Sequence, residues 1–264
     1  VNSYTITFAP NGGSVTPTSK TFTINDSISL PTPTRTGYTF SGWKVTEKAD
    51  VSNWTLNDVY TGTSIPAGKY GNVTLTAQWT VNTYTITYKY NNGAADTTAK
   101  YTIEQSITLP SPTKTGYTFA GWKVTTAGGN WKTTDSVYKG TVAAGKYGNV
   151  TLTAQWVANT YTITYVYNNG SANTTATYNI EQAITLPSPT KTGYTFAGWS
   201  VSPTDSSALL YKYDAGTGKF TSSTSVSALV DGKKSNFVTN GKWVREAGTV
   251  DLYAVWAANT DTTY

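Results

Sequence analysis

Chemistry that needs an imidazole or a thiol is closed to this chain, because none of its 264 residues is His or Cys. Serine or cysteine nucleophiles activated by His are thereby excluded, as are zinc sites built from His and Cys ligands. Carboxylates are what remains, and 14 Asp and Glu are present. A glycosidase-type pair needs two acids held across a scissile bond, and Asp205, Asp214 and Asp231 are the candidates. Solvated loop acids are the plainer reading of the same three residues. Glu104 and Glu181 match each other in local sequence, but Asn25 holds the corresponding first position. A Lys–Asn isopeptide crosslink would need a buried acid beside the pair, and no acid recurs to serve it. The expectation is therefore a non-enzyme with no catalytic residue, no metal and no cofactor.

Two basic positions do recur. Arg35, Lys114 and Lys191 precede a GYTF stretch, and Lys69, Lys146 and Lys242 sit in GK-aromatic motifs. Such cations either line an anionic groove or lay their stems over aromatic rings with the charged head in water; the second role is favoured. Aromatics are the other candidate chemistry, since exposed Trp and Tyr offer flat apolar area with a polar rim for a sugar ring. The candidates for ligand binding are Trp54, Tyr60 and Tyr70, their counterparts Trp131, Tyr138 and Tyr147, and Tyr211 and Tyr213, which with Phe220 lie in a different setting. A core role competes with binding for Trp54 and Trp131. Trp43, Trp79, Trp122, Trp156, Trp199 and Trp256 are read as structural core.

The elements that must position these residues come in three copies. PTPTRTGYTFSGW at Pro31–Trp43 returns as PSPTKTGYTFAGW at Pro110–Trp122 and Pro187–Trp199, so Gly37, Gly116 and Gly193 are spaced by 79 and 77 residues. A period of this kind makes the chain an array of one unit, with domains at 1–80, 81–157 and 158–264. Each unit opens on strict alternation, YTITF or YTITY, the pattern of a half-buried strand, followed by an Asn/Gly turn and a second strand. A short apolar segment then ends at Pro31, Pro110 or Pro187, where at most one helical turn fits. The proline segment is expected to be extended, with Gly37 and its equivalents turning it into an aromatic strand. Gly42 marks a place of close backbone packing. Each unit closes on NVTLTAQW or TVDLYAVW, then TVNT, VANT or AANT.

From Trp43 to Trp79 is 36 residues and from Trp122 to Trp156 is 34, but from Trp199 to Trp256 is 57. The third unit thus carries an insertion of about 20 residues, and loops that vary on a fixed scaffold are where recognition tends to sit. The altered outer face of the last strand, Asp251, Tyr253 and Val255, is expected to cover that insertion. Linkers of four residues leave little freedom between units. The terminal AANT and the linker-like Val1-Asn2-Ser3 suggest a fragment of a longer protein.

With no disulfides or metal, units of this size need aromatic burial, and 20 Tyr, 9 Trp and 7 Phe supply it. The formal charge is only +5, and charged residues are 12% of the chain with no block of like sign. That argues against a nucleic-acid footprint and leaves a weak attraction to acidic polysaccharide open. No run of 18 apolar residues exists to cross a membrane as a helix.

The motif combination, a YTITF hairpin, PxPT[RK]TGYTFxGW and a closing LxAxW strand, resembles the Listeria–Bacteroides repeat, or internalin B-repeat family, over all three units. The resemblance implies bacterial surface or secreted proteins of internalin or adhesin type, in which the repeats form a stalk. It also implies a mainly β fold of three tandem small β-grasp-like units with little helix, arranged as an elongated array. The functional expectation is a monomeric, extracellular, non-enzymatic spacer, with a host or glycan surface ligand at the variable loops. A carbohydrate-binding array of a secreted glycan-degrading or glycan-binding protein is the alternative.

Overall fold

In a computed structural model, the described residues are 1–134, 137–182, 185–206, 209–222, 227–230, 233–236, 238–239, 242–243 and 249–260, with side chains described outside 222–248. Among the described residues every regular element is a strand. The chain condenses into two compact bodies, Val1–Pro110 with Trp122–Thr153 and Ser111–Gly121 with Ala154–Tyr264.

The first repeat contains β1 (Ser3–Ala9), β2 (Ser19–Thr23), β3 (Ile28–Ser29), β4 (Tyr38–Lys48), β5 (Val59–Tyr60), β6 (Ser64–Ile65) and β7 (Val73–Val81). Five of them form a sheet in the order β2-β1-β7-β4-β5. β1 and β7, the first and last strands, run parallel at its centre, and the other pairings are antiparallel. Alternation in β1 buries Ile6 and Phe8 and leaves Thr5 and Thr7 outside, as the YTITF pattern requires. The small antiparallel pair β3–β6 joins Ile28 to Ile65. Both isoleucines bury into one core with Phe8, Trp43, Val45 and Leu75.

The turn after β2 is where a helical turn was the most the sequence allowed, and it is a side-chain-closed turn. Asp26 accepts from the Thr23 amide at 2.7 Å and its own amide donates to the Thr23 carbonyl. Gln105 and Gln182 close the matching turns on Thr102 and Asn179.

The aromatic strand carries the main irregularity. The register of β4 on β7 shifts between Phe40 and Gly42, so Phe40 faces Trp79 and Trp43 faces Ala77. Strict alternation would put residues three apart on opposite faces; one extra residue puts them on the same face. Phe40 and Trp43 accordingly meet edge-on at 5.5 Å. Gly42 makes the bulge feasible: its φ is +147°, and a Cβ there would lie 2.8 Å from Val59 and 3.0 Å from the Tyr60 carbonyl. The proline segment also has a defined role. Its first carbonyl accepts the indole N–H of the fully buried Trp, at 3.0 Å for Pro31–Trp43, 2.8 Å for Pro110–Trp122 and 2.9 Å for Pro187–Trp199. A polar tip buried with a large ring needs such a partner.

The second repeat repeats the plan with β8 (Thr83–Lys89), β9 (Thr97–Thr102), β10 (Ile107–Thr108), β11 (Tyr117–Ala127), β12 (Val137–Tyr138), β13 (Thr141–Val142) and β14 (Val150–Ala158), in sheet order β12-β11-β14-β8-β9. The third has β15 (Tyr161–Val166), β16 (Thr174–Tyr178), β17 (Tyr194–Ser200), β18 (Leu209–Asp214) and β19 (Lys219–Ser222). It continues with β20 (Ser227–Val230), β21 (Lys233–Asn236), β22 (Val238–Thr239), β23 (Lys242–Trp243) and β24 (Val250–Ala258). Its main sheet runs β16-β15-β24-β17-β18-β19. β18 stands where β5 and β12 stand, and β19 adds an edge strand. β20–β21 and β22–β23 are separate antiparallel pairs. The described start of the insertion thus extends the sheet sideways. On the outer face of β24, Tyr253 and Val255 are half-buried and Asp251 is exposed.

Candidate functional site

The variable-segment aromatics are drawn inward by the strands around them. Trp54 is 3% exposed; its indole donates to the Gly71 carbonyl at 2.9 Å, and its ring meets Phe22 and Tyr60 edge-on at 6.0 Å each. Trp131 is 4% exposed and donates to the Tyr101 hydroxyl at 2.8 Å, with Tyr138 packed edge-on at 5.2 Å. Neither indole presents a face to solvent. The reason is local: Asn53 and Asn130 accept from the amides of Tyr70 and Tyr147 and donate to the carbonyls of Gly68 and Gly145. Those bonds fold the segment back over the sheet and carry the Trp beneath it.

Tyr60, Tyr70, Tyr138 and Tyr147 stay half-buried. Tyr70 leans on Tyr4 at 6.4 Å and Tyr147 on Tyr84 at 6.5 Å. Lys69 caps Trp54 and Tyr60 at 5.0 and 5.9 Å, and Lys146 caps Trp131 and Tyr138 at 5.2 and 5.5 Å. The other recurring cation behaves alike. Arg35, Lys114 and Lys191 sit 3.7, 4.1 and 4.4 Å over Tyr38, Tyr117 and Tyr194, so both positions lie on aromatic faces, where a cation is attracted by the ring.

In the third repeat, Tyr211 holds the sheet position of Tyr60 and Tyr138 but is more deeply buried than they are. It pairs across the sheet with Trp199 just as they pair with Trp43 and Trp122. It is buried, and that burial pushes its phenol up to about 12. Tyr213 packs between Phe196 at 5.3 Å and Phe220 at 4.9 Å. The core tryptophans divide by depth: Trp43, Trp122 and Trp199 are fully buried, while Trp79, Trp156 and Trp256 lie half-buried at the rim.

The candidate acids are apart from one another in role. Asp214 closes the β18–β19 turn, accepting from the Thr217 hydroxyl and the Gly216 amide at 2.9 Å each, and the Thr217 bond holds its carboxyl below the usual carboxylate value. Asp205 is exposed, and its backbone carbonyl accepts from the Ser200 hydroxyl. Asp231 and the Lys242 side chain lie outside the described residues.

Sequence reading missed the surfaces by which one repeat meets the next. In the first body the Tyr38 hydroxyl donates to Glu104 at 2.6 Å, and Ile103 covers Gly37 so closely that a Cβ there would lie 2.8 Å from its methyls. In the second body the Tyr117 hydroxyl donates to Glu181 at 3.0 Å, and a Cβ on Gly116 would lie 2.9 Å from Ile180. The linker asparagine fixes the exit of the chain at each place. Asn82 and Asn159 donate their amides to the carbonyls of Gly37 and Gly116 at 2.9 Å, and their side-chain oxygens accept from Thr39 and Thr118 at 2.6 Å. The signals were in view, in the paired Ile-Glu-Gln and the repeated Asn-Thr. The glutamates lie 66 and 64 residues from their tyrosines, and the asparagines 43 and 41 residues from their threonines.

Repeats similar in sequence to these occur in known proteins. The family model for the Listeria–Bacteroides repeat domain matches residues 4–78, 84–155 and 161–229, and the chain belongs to that family. Among curated relatives, Internalin H of Listeria monocytogenes is 37% identical over 160 residues, which is 59% of this chain and 25% of that protein. A provisionally named membrane protein of Evansella cellulosilytica is 31% identical over 210 residues, 75% of this chain and 28% of its own length. A second such protein of that organism, named as Gly-rich, is 29% identical over 210 residues, covering 21% of its length. The chain therefore spans about a quarter of the relatives it matches.

Proposed function

We propose that this chain is a non-enzymatic repeat region of a bacterial cell-surface or secreted protein, acting as a spacer that holds other parts of the protein at a distance. The observation that carries this reading is the use made of the recurring residues. GYTFxGW, the proline segment, Ile-Glu and the linker Asn all go into cores or into junctions with the next repeat, leaving no recurring polar group aimed at a ligand among the described residues. Membership of a family found in an internalin supports an extracellular setting.

A second reading, glycan or host-surface binding, draws support from one feature: half-buried Tyr60 and Tyr70, and again Tyr138 and Tyr147, flank a lysine in the variable segment. A glycan array with isothermal titration on the 264-residue chain separates the two. The spacer reading expects no titratable sugar. Binding that is lost in Tyr70→Ala and Tyr147→Ala, with folding intact, would replace it by the second reading.

A further inference from the structure

The insertion of the third repeat covers a side chain that the first repeat leaves open. Phe196, the GYTF phenylalanine of the third copy, is 6% exposed. Tyr213 on β18 lies 5.3 Å from its ring and Phe220 on β19 lies 6.2 Å from it, and the two covering rings are 4.9 Å apart. Phe40 holds the same place in the first repeat. It packs on Trp43 at 5.5 Å and Trp79 at 5.7 Å, as Phe196 packs on Trp199 at 5.5 Å and Trp256 at 5.3 Å. Yet Phe40 is only half-buried. The difference lies in the edge strand. Counted from the tyrosine that pairs with the core Trp, Tyr213 corresponds to Gly62. The register of β5 on β4 covers Trp43 and Lys44, and Thr61, Gly62 and Thr63 beyond it are small, uncharged and exposed. A Cβ on Gly62 would meet no atom nearer than 3.7 Å. In the third repeat this side of the sheet carries the hairpin β18–β19, paired from Tyr211↔Ser222 to Asp214↔Lys219.

We infer that Phe40, with Trp79 behind it and the β4 edge at residues 39–41 beside it, forms a docking face for an aromatic β-hairpin of a partner protein. The chain itself shows the occupant that fits. Where the insertion supplies such a hairpin, the equivalent phenylalanine passes from half-buried to buried, and ring-on-ring contacts add to the gain from burial. The backbone contributes as well. β4 pairs with β7 on one side from Tyr38 onward, while on the other side β5 reaches only as far as Trp43. A strand edge of that kind is a template for an added strand. The exposed side chains of the rim, Thr39, Ser41, Thr61 and Thr63, carry no charge, which suits an uncharged occupant. A glycan has no aromatic edge and would not reproduce the contacts that bury Phe196. A second copy of this chain fits less well, because its hairpin is already seated on its own Phe196. The inference goes beyond the spacer reading and does not depend on it.

The test is an NMR titration of the isotope-labelled 264-residue chain with a cyclic peptide of residues 212–221. Lys212 and Thr221 face each other across the hairpin, so a D-Pro–Gly turn closes the ring in register, and closure is needed because an isolated hairpin is marginal in water. The peptide should give saturable shifts at the amides of residues 39–42 and at the Trp79 indole N–H. It should give none at the Trp256 indole, whose neighbouring phenylalanine is already covered. Phe220→Ala in the peptide should raise the half-saturating concentration roughly tenfold or more, the loss expected for one buried ring. In the chain, Phe40→Leu keeps apolar bulk without the ring and should have the same effect, with the β14 and β24 amides unmoved as the check on folding. Gly62→Tyr, for which there is room, should close the face as Tyr213 does. The proposal is overturned if the peptide shifts nothing, or if the Phe220→Ala peptide or the Phe40→Leu chain titrates like the parent. Shifts at residues 39–42 that rise with the concentration of the chain alone would assign the face to a second copy and overturn it. Shifts there from a glycan and not from the hairpin would assign it to sugar and overturn it equally.

Discussion

At the scale of single residues, the same side-chain type does different work according to what the backbone places over it. Trp54 and Trp131 have the composition of a sugar platform and the environment of a core, because Asn53 and Asn130 pin the segment above them. Trp54→Ala should therefore cost about 3–5 kcal/mol, the range for removing a buried Trp, and the loss should appear as a shift in the urea midpoint of the first repeat. A platform residue on the surface would leave that midpoint nearly unmoved. Glu104 and Glu181, the acids that match in two of the three repeats, each accept from a tyrosine hydroxyl. Tyr38 is accordingly raised above the usual tyrosine value chiefly by its bond to Glu104, a partner that would become repulsive on ionisation.

At the scale of elements, the aromatic strand shows why the motif has the length it has. The bulge at Phe40 and Gly42 brings Phe40 and Trp43 to one face, and a second shift at Phe196 and Gly198 does the same for Phe196 and Trp199, whose rings lie 5.5 Å apart. Gly42→Val puts a side chain where a Cβ would lie 2.8 Å from Val59 and 3.0 Å from the Tyr60 carbonyl, at a φ of +147° that a β-branched residue does not adopt, so the bulge that brings Trp43 to the core face cannot form. We expect that substitution to abolish protection of the β7 amides in hydrogen exchange while β14 and β24 keep theirs. Loss of all three together would mean that the repeats do not fold as separable units. The glycine before the Trp was readable as a site of close packing. The bulge itself was not, since it depends on the register against β7, a strand about 35 residues further on.

At the scale of the whole molecule, stability rests on buried aromatics with few buried charges, and its pH dependence should follow. Tyr88, Tyr101, Tyr165 and Tyr211 are all raised above the ordinary tyrosine value, burial being the leading cause for each. A phenol raised in the folded state is neutral in both states below its unfolded pKa, so its contribution is complete there. As pH rises past about 10, the unfolded chain ionises first and stability is lost up to the folded value, which for Tyr211 is about 12. Thermal unfolding followed from pH 8 to 12 should show that loss, and Tyr211→Phe should reduce it in the third repeat alone. On the acid side Asp26 and Asp214 are lowered by turn hydrogen bonds. Their contribution is present above the unfolded value and fades as pH falls through the folded one, and both groups are exposed turn acids.

What the sequence determined by itself was whatever is written locally and three times over: the repeat, the mainly β class, the half-buried opening strand, the proline segment and the family. Period-two alternation and Gly/Pro punctuation are properties of neighbours in the chain, and they are legible without a fold. Only the tertiary structure decided which aromatics face inward, that Tyr211 stands where Tyr60 and Tyr138 stand, and that Gly37, Tyr38 and Asn82 join one repeat to the next. Each of those depends on a partner tens of residues away, or on the one-residue slip of a bulge, and neither leaves a mark in the local pattern. GYTF carries both kinds of information. Its aromatic Phe was readable as core, while its Gly and Tyr took their meaning from the isoleucine and glutamate of the following repeat.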